Sequence, residues 1–397
     1  MRRCVVLGLL ALIAIAPAPA PAPSQYLFVW AEESSDANGG HPLPASMGRD
    51  FMAVFDIAPG SATFGRLVAT LPVGTRAQMA HHTNYEMPAN GMLFASDFMA
   101  GDAYVFDLHD PANPRLASTL GAAGAYNHPH SFLTLPNGNV LVTYQYKGNG
   151  DATAGGLAEV TPNGRVIRTS DASDPGADSF IRPYSLAVVP KLNRIVTSSA
   201  DMEGGGKSHV VQVWRLSDLK LIKSVVLPKP TFYKDVVGVA SSEPRLLADG
   251  KTVLVATFGC GLYRINDLAG TNPSAQFVYD FGYRFCAVPV VTGRYWVEAT
   301  QSGHSLTSLD VSDPAKPVEV GHIVFKGDAQ PHWIAVEPGG SRIVVTGSGW
   351  MATHAFFATI DPQTGALALE PHDIDFNRQW PDGWNGPAIP HGAVFSK

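Results

Sequence analysis

The sequence is poor in charged residues and in cysteine. Asp, Glu, Lys and Arg make up 16% of the 397 residues, the formal net charge is -6, and there are 3 cysteines. A strongly basic footprint for nucleic acid is therefore excluded. The chain also has no Gly-rich phosphate loop, GxSxG elbow, HExxH pair or CxxC pair, so these motifs for nucleotide, hydrolase, protease and dithiol chemistry are missing. We expect a small-molecule substrate and no nucleic acid partner.

Long apolar runs are also missing, except for one at the N-terminus. The first three residues are Met-Arg-Arg, residues 5–16 are apolar, and small residues and prolines follow up to Pro23. An apolar segment of this length is typical of a secretory signal and too short to span a bilayer. We predict a signal peptide at residues 1–22. The mature chain, residues 23–397, is expected in the periplasm without membrane contact.

Two cysteines, Cys260 and Cys286, remain after the predicted cleavage. In an oxidising compartment two cysteines can form one disulfide. A pair of metal-binding thiols is the alternative, and the sequence leaves both open.

Short β-branched and aromatic runs recur between turn signals, while helical patterns are scarce. Four segments share one frame, with a proline six residues after the first position: HTNYEMP, HSFLTLP, YSLAVVP and HWIAVEP. Each opens a unit of four strands, and the repeat of about 45 to 55 residues is that of a propeller blade. The alternative, two separate β-sandwiches, predicts a linker near the middle of the chain and no frame shared by the segments. The sequence shows neither feature. We predict an all-β, seven-bladed β-propeller, closed by pairing of the N- and C-terminal strands in one blade.

The first strand of each blade lines the channel of a propeller, so the first residues of these strands should meet near the axis. Around the ring this position is held by His82, His130, Tyr184, Ser242, Cys286, His332 and His391. Four of these seven are histidine, although histidine makes up only 13 of the 397 residues. Neutral imidazoles suit copper, zinc, iron or nickel. We predict that the four histidines bind a transition metal; a polar channel that only holds water is the alternative.

Residues beside the ring are expected to support the metal ligands, because ligating histidines usually donate their other ring nitrogen to an acceptor. His81, His128 and Cys260 are the candidates for this role. Tyr184 and Cys286 lie in the ring itself and are predicted to be catalytic, in proton or electron transfer.

Several segments resemble the selenium-binding protein / methanethiol oxidase family. In order along the chain these are DFMAVFDIAPGSATFGRLVATLP, AQMAHHTNYEMP, PHSFLTLPNGNVLVTY, AQPHWIAVEPGGSRIVVTGS and AIPHGAVF. The resemblance implies copper-dependent oxidation of methanethiol to formaldehyde, sulfide and peroxide. It also implies that His81 or His82, His130 and His391 match the metal-site histidines of the family. The Cys-rich segment that follows the His-His pair in the family is replaced here by residues 83–86.

These observations favour a periplasmic metalloenzyme that oxidises a small thiol or other organic substrate, with copper as the preferred metal. A lyase or hydrolase that uses manganese, zinc or iron as a Lewis acid is the second hypothesis. A non-catalytic metal-binding or interaction propeller is the third, because this fold hosts many unrelated functions.

Overall fold

The computed structural model describes residues 25–33, 48–75, 78–148, 154–177, 181–202, 208–231 and 240–397. The predicted signal peptide lies outside these residues and stays a prediction. The helices in the described part are short 3-10 turns at Pro190–Leu192, Gln301–Gly303 and Gly349–Thr353. None of the described helices has the length and apolar character that crossing a bilayer requires.

The described strands form seven sheets, and six of these each come from one continuous segment of four strands. The chain starts with three strands of the seventh sheet, β1 (Tyr26–Glu33), β2 (Asp50–Asp56) and β3 (Leu67–Val73). The next three sheets contain β4 (Ala80–Thr83), β5 (Met92–Asp97), β6 (Asp102–Asp107), β7 (Arg115–Leu120); β8 (Tyr126–Thr134), β9 (Val140–Lys147), β10 (Gly156–Val160), β11 (Val166–Asp171); and β12 (Pro183–Val189), β13 (Arg194–Ser199), β14 (Val210–Arg215), β15 (Leu221–Val226).

The following three sheets contain β16 (Ser241–Leu246), β17 (Val253–Thr257), β18 (Gly261–Asn266), β19 (Ser274–Asp280); β20 (Val290–Thr292), β21 (Tyr295–Thr300), β22 (Ser305–Asp310), β23 (Val318–Val324); and β24 (Gln330–Val336), β25 (Arg342–Ser348), β26 (His354–Ile360), β27 (Leu367–Asp375). The chain ends with β28 (Asn377–Gln379) and β29 (Asn385–Phe395).

The last strand closes the ring. β29 pairs antiparallel with β1, with Leu27 opposite Phe395 and Val29 opposite Ala393, so the closing sheet has the order β28-β29-β1-β2-β3. The predicted seven-bladed β-propeller and its closure by the two ends of the chain are confirmed. The short strand β28 is an addition that the sequence did not predict. Closure removes the free edges that an open array of sheets would expose.

Burial falls from the axis of the propeller to its rim. The strand β12 is the innermost of its sheet, and all seven of its residues are buried. In contrast, most residues of the outer strands β7 and β23 are exposed or half-buried. Inner strands are covered on both faces by neighbouring blades, so even polar strands such as β4 and the first half of β16 are buried. Four tryptophans are fully buried between the blades: Trp30, Trp214, Trp296 and Trp333. This packing fixes the inner strands around the axis.

Candidate metal centre

Irregular inner strands bring five histidines to one end of the channel. His81 and His82 lie on β4, where the register shifts between Ala80 and Thr83. His130 on β8 and His332 on β24 also lie at register shifts, and His391 lies on the closing strand β29. An extra residue in a strand bends it and re-aims the side chains beside it. The bulges therefore turn these imidazoles toward the axis.

The five rings form one compact cluster. The ring centroids of His81 lie 4.4 Å from those of His82 and His391 and 4.9 Å from that of His130. The His82 and His130 rings are 4.4 Å apart, and the His332 and His391 rings are 4.9 Å apart. Two sets of three have ligand nitrogens within 4.8 Å of one another: His81 with His82 and His130, and His81 with His332 and His391.

Burial keeps these imidazoles neutral. Loss of solvation lowers the pKa of His130 to about 3 and that of His332 to about 4. Burial, followed by the charges of the other histidines, lowers the pKa values of His81, His82 and His391 well below the ordinary value. A neutral imidazole has the lone pair that a metal ion needs. The cluster is therefore in its metal-binding form at neutral pH.

The nitrogens on one side of these rings have acceptors. Nδ1 of His130 donates to the carbonyl oxygen of Tyr184 at 2.8 Å, and Nδ1 of His332 lies 3.1 Å from Oε1 of Gln301. The Ser131 hydroxyl oxygen lies 3.0 Å from Nδ1 of both His82 and His130. Such partners fix the orientation of metal-ligating histidines.

Four other ring nitrogens of the cluster have no hydrogen-bond partner. Nε2 of His82, Nε2 of His130, Nδ1 of His81 and Nδ1 of His391 are buried without a hydrogen bond. Leaving a buried polar atom unsatisfied costs about 1–3 kcal/mol, so four together require an explanation. Donors that are all neutral nitrogen suit a transition metal rather than magnesium or calcium. The residues present therefore fit such an ion.

His81 and His128, both expected to support the ligands, differ in position. His81 belongs to both three-histidine sets, so its assignment to a supporting role is revised. Nδ1 of His128 lies 2.8 Å from Oδ1 of Asn127. The His128 ring packs on Phe98 at 5.6 Å, and Phe98 in turn contacts the His81 and His130 rings. His128 is therefore one layer outside the cluster.

Tyr184 lies against the cluster as the ring position predicts. Its ring is 4.1 Å from that of His130 and 5.5 Å from that of His82. Burial raises the pKa of Tyr184 well above its ordinary value. The side chain is therefore a phenol at neutral pH, able to donate a hydrogen bond.

The two remaining cysteines form a disulfide. Cys260 and Cys286 are bonded, with their Cα atoms 5.0 Å apart, and both are buried. The predicted catalytic role of Cys286 is therefore corrected, because a sulfur held in a disulfide is neither a nucleophile nor a thiolate ligand. Cys260 joins two blades rather than supporting a metal ligand.

Replacement of both cysteines by alanine is expected to destabilise the fold and leave metal content unchanged. The two residues are 26 apart in sequence, and closing a loop of that length is worth about 3.5 kcal/mol in the chain-entropy model. Thermal unfolding of the variant measures the loss, and reduction of the wild type should reproduce it. A loss of bound metal without a change in stability would contradict the structural role.

A second group of residues, which the sequence analysis missed, crosses the channel beneath the histidines. The Tyr85 ring stacks on Trp333 at 5.3 Å, and the Arg245 guanidinium lies 3.8 Å from the centre of the Tyr85 ring. The Tyr85 hydroxyl donates to Oε2 of Glu243 at 3.0 Å and lies 2.8 Å from the Ser185 hydroxyl. Arg245 pairs with Glu243 at 2.7 Å. This Tyr85 plug closes the channel on that side.

The repeat frame itself contains the signal for most of these residues. The position directly after the ring position holds, among others, Ser131, Ser185, Glu243 and Trp333, and all four contact Tyr85. Comparison of the residues one position after the ring position in each inner strand would have identified them.

A cavity of about 520 Å³ lies on the far side of the plug. Its wall includes Tyr85, Arg245, Leu133 and Leu186, and none of the five clustered histidines. The Tyr85 plug therefore separates this cavity from the histidine cluster.

The fold and the site together define a β-propeller with a histidine cluster at one end of its channel. The chain is a distant relative of methanethiol oxidases. It is 29% identical over 154 residues to the methanethiol oxidase of Hyphomicrobium sp, a match that covers 38% of this chain and 34% of that protein. It is 28% identical over 126 residues to the methanethiol oxidase of Ruegeria pomeroyi, covering 30% and 28%. The chain thus matches about a third of the length of these relatives.

Solved structures show the same fold over nearly the whole chain. A hypothetical selenium-binding protein from Sulfolobus tokodaii superposes with a TM-score of 0.72 at 15% identity, covering 96% of this chain and 94% of that one. The periplasmic gluconolactonase of Pseudomonas aeruginosa superposes with a TM-score of 0.64 at 14% identity, covering 94% and 99%. No family model matches the chain.

Proposed function

We propose that this protein is a copper-dependent oxidase of a small thiol, acting at the histidine cluster. The observation that carries the proposal is the pair of three-histidine sets whose inward nitrogens are buried and unpartnered. Copper is the preferred ion because the donors are all imidazole and copper stands highest in the affinity order of divalent metals. The similarity to two methanethiol oxidases supports the thiol substrate.

The reaction in this proposal balances without a further co-reactant. Methanethiol, dioxygen and water give formaldehyde, hydrogen sulfide and hydrogen peroxide. Bound copper would supply the redox steps between the thiol and dioxygen. The chain itself holds the ion, excludes water and handles protons.

The surroundings of the cluster suit a small apolar substrate. Phe98 is buried beside His81 and His130, and Phe258 packs on Tyr184 at 5.4 Å. These aromatic rings give the approach an apolar wall, which favours a methyl group over a charged one. Tyr184 would donate a hydrogen bond at the cluster, because burial raises its pKa and keeps its hydroxyl protonated.

The periplasm is the proposed location. The predicted signal peptide directs export, and the Cys260–Cys286 disulfide is stable in an oxidising compartment. A small-molecule substrate remains the proposed partner.

Metal content and oxygen uptake test the proposal together. The purified mature protein is expected to retain copper and to consume dioxygen with methanethiol, releasing formaldehyde, sulfide and peroxide in equal amounts. Chelation should stop the reaction and copper should restore it. Retention of zinc, manganese or iron, with hydrolysis or elimination that needs no oxygen, would replace this proposal by the Lewis-acid alternative. Protein that binds no metal would overturn both.

Ser131→Ala is expected to weaken metal binding by about 10- to 100-fold. The variant removes the hydroxyl oxygen that lies 3.0 Å from Nδ1 of both His82 and His130. Competition with a calibrated chelator measures the affinity. Ser185→Ala is the matched control, because the Ser185 hydroxyl contacts Tyr85 and Glu243 in the same channel. Equal losses in the two variants would mean that a looser channel, and not the histidine contact, causes the effect.

A further inference from the structure

The histidine cluster is arranged for more than one ion. Its ligand nitrogens fall into two sets, each within 4.8 Å, and His81 is the member that the two sets share. Metal–nitrogen bonds are about 2.0–2.1 Å long, so two nitrogens on one ion lie at most about 4.2 Å apart. The five histidines do not form one set in this arrangement. A single ion would therefore use one set and leave the other.

The unpartnered nitrogens lead to the same division. One ion on His81, His82 and His130 leaves Nδ1 of His391 buried without a partner, and one ion on the other set leaves Nε2 of His82 and of His130 in that state. Buried polar atoms in native proteins are almost always satisfied. Two ions would satisfy all four nitrogens.

Each set also has its own supporting hydrogen bonds. Ser131 lies 3.0 Å from Nδ1 of both His82 and His130. In the other set, Gln301 lies 3.1 Å from Nδ1 of His332. Orientation by a partner on the far nitrogen is typical of metal ligands. Both halves of the cluster carry this feature.

We propose that the cluster holds two transition-metal ions, one on His81, His82 and His130 and the other on His81, His332 and His391. His81, the member that both sets share, would have to offer one ring nitrogen to each ion. A neutral imidazole has one free lone pair, so such sharing would require the N–H proton of His81 to leave. This inference rests on the metal site of the proposed function and adds a second ion to it.

Two ions match the electron count of the proposed reaction. Conversion of methanethiol and water to formaldehyde and hydrogen sulfide, in which water supplies the oxygen atom, releases two electrons and two protons. Reduction of dioxygen to hydrogen peroxide consumes two electrons and two protons. Two copper ions that each change charge by one unit supply that number.

Copper stoichiometry tests the inference. Metal-free protein is titrated anaerobically with cuprous ion against a competing chelator, and bound copper per chain is counted by elemental analysis. The wild type is expected to bind two ions. His82→Ala/His130→Ala and His332→Ala/His391→Ala are each expected to bind one. The control His109→Ala/His322→Ala, outside the cluster, is expected to bind two.

The outcomes separate this inference from the proposed function. One ion per chain in the wild type, together with thiol oxidation, overturns the second ion and leaves the oxidase intact. No bound copper overturns both. Circular dichroism and thermal unfolding establish that the variants fold. If an alanine pair does not fold, the corresponding glutamine pair takes its place, and the wild-type count decides the question in either case.

Discussion

His81→Ala is expected to lower the affinity of the protein for copper by at least about 100-fold and to abolish oxidation of the substrate. Removal of a residue that only supports a ligand already costs about 10- to 100-fold, and His81 contributes to both three-histidine sets. Its loss leaves two imidazoles in each set. Chelator competition measures the affinity, and oxygen uptake measures the activity.

His322→Ala is the matched control for this prediction. His322 lies on the outer strand β23, where Nδ1 is 3.1 Å from the Thr307 hydroxyl. It is outside both sets, so its replacement should leave copper affinity unchanged. Wild-type affinity in both the His81→Ala and the His82→Ala variants would show that the metal lies elsewhere. If His82→Ala lowered copper affinity by about 100-fold and His81→Ala did not, His81 would only support the ligands.

Glu32→Gln is expected to stabilise the protein by about 3 kcal/mol more at pH 8 than at pH 4. Glu32 is buried opposite Asp50 in the β1–β2 pair, and burial raises its pKa from 4.5 to about 7. Asp97 is buried in the same seam, where burial raises its pKa to about 8. The folded protein therefore holds a proton on Glu32 that the unfolded chain releases.

The sign of this pH dependence follows from the direction of the shift. Stability from the protonated Glu32 is fully present at pH 4, falls as the pH rises from about 4.5 to about 7, and is lost above that range. Glutamine cannot ionise, so the variant does not lose this stability. Denaturant unfolding at several pH values measures it, with the exposed Glu86→Gln as control. A pH-independent difference between wild type and variant would contradict the raised pKa.

Most of the fold could be predicted from the sequence. The shared frame of strand, proline and turn recurs along the chain, and the structure has one sheet for each predicted blade. The closing blade followed from the leftover strands at the two ends, because a ring of sheets is stable only when its edges are paired. The sequence of the extra strand β28 does not match this repeated pattern, so the pattern did not predict it.

The position of His81 was not predictable from alternation. Consecutive residues of a regular strand point to opposite faces, which put His82 in the channel and His81 behind it. In the structure the register of β4 shifts between Ala80 and Thr83, and the two rings stack face to face with centroids 4.4 Å apart. A local bulge therefore adds a fifth histidine to the cluster.

Tyr85 illustrates the same limit. Its position at the end of β4 was visible, but its partners Trp333, Arg245 and Glu243 come from two other blades. Contacts between blades depend on how far each side chain reaches across the axis. The spacing of residues within one blade therefore does not predict which side chains of other blades Tyr85 contacts.

The sequence by itself determined the number of blades, the closure of the ring and the meeting of histidines near one end of its axis, because repetition of one frame places equivalent residues at equivalent points. The tertiary structure alone decided the rest: the division of five imidazoles into two sets around His81, the disulfide and the Tyr85 plug. These features arise from bulges and from packing across blades, where a shift of one residue redirects a side chain without changing the pattern of the strand.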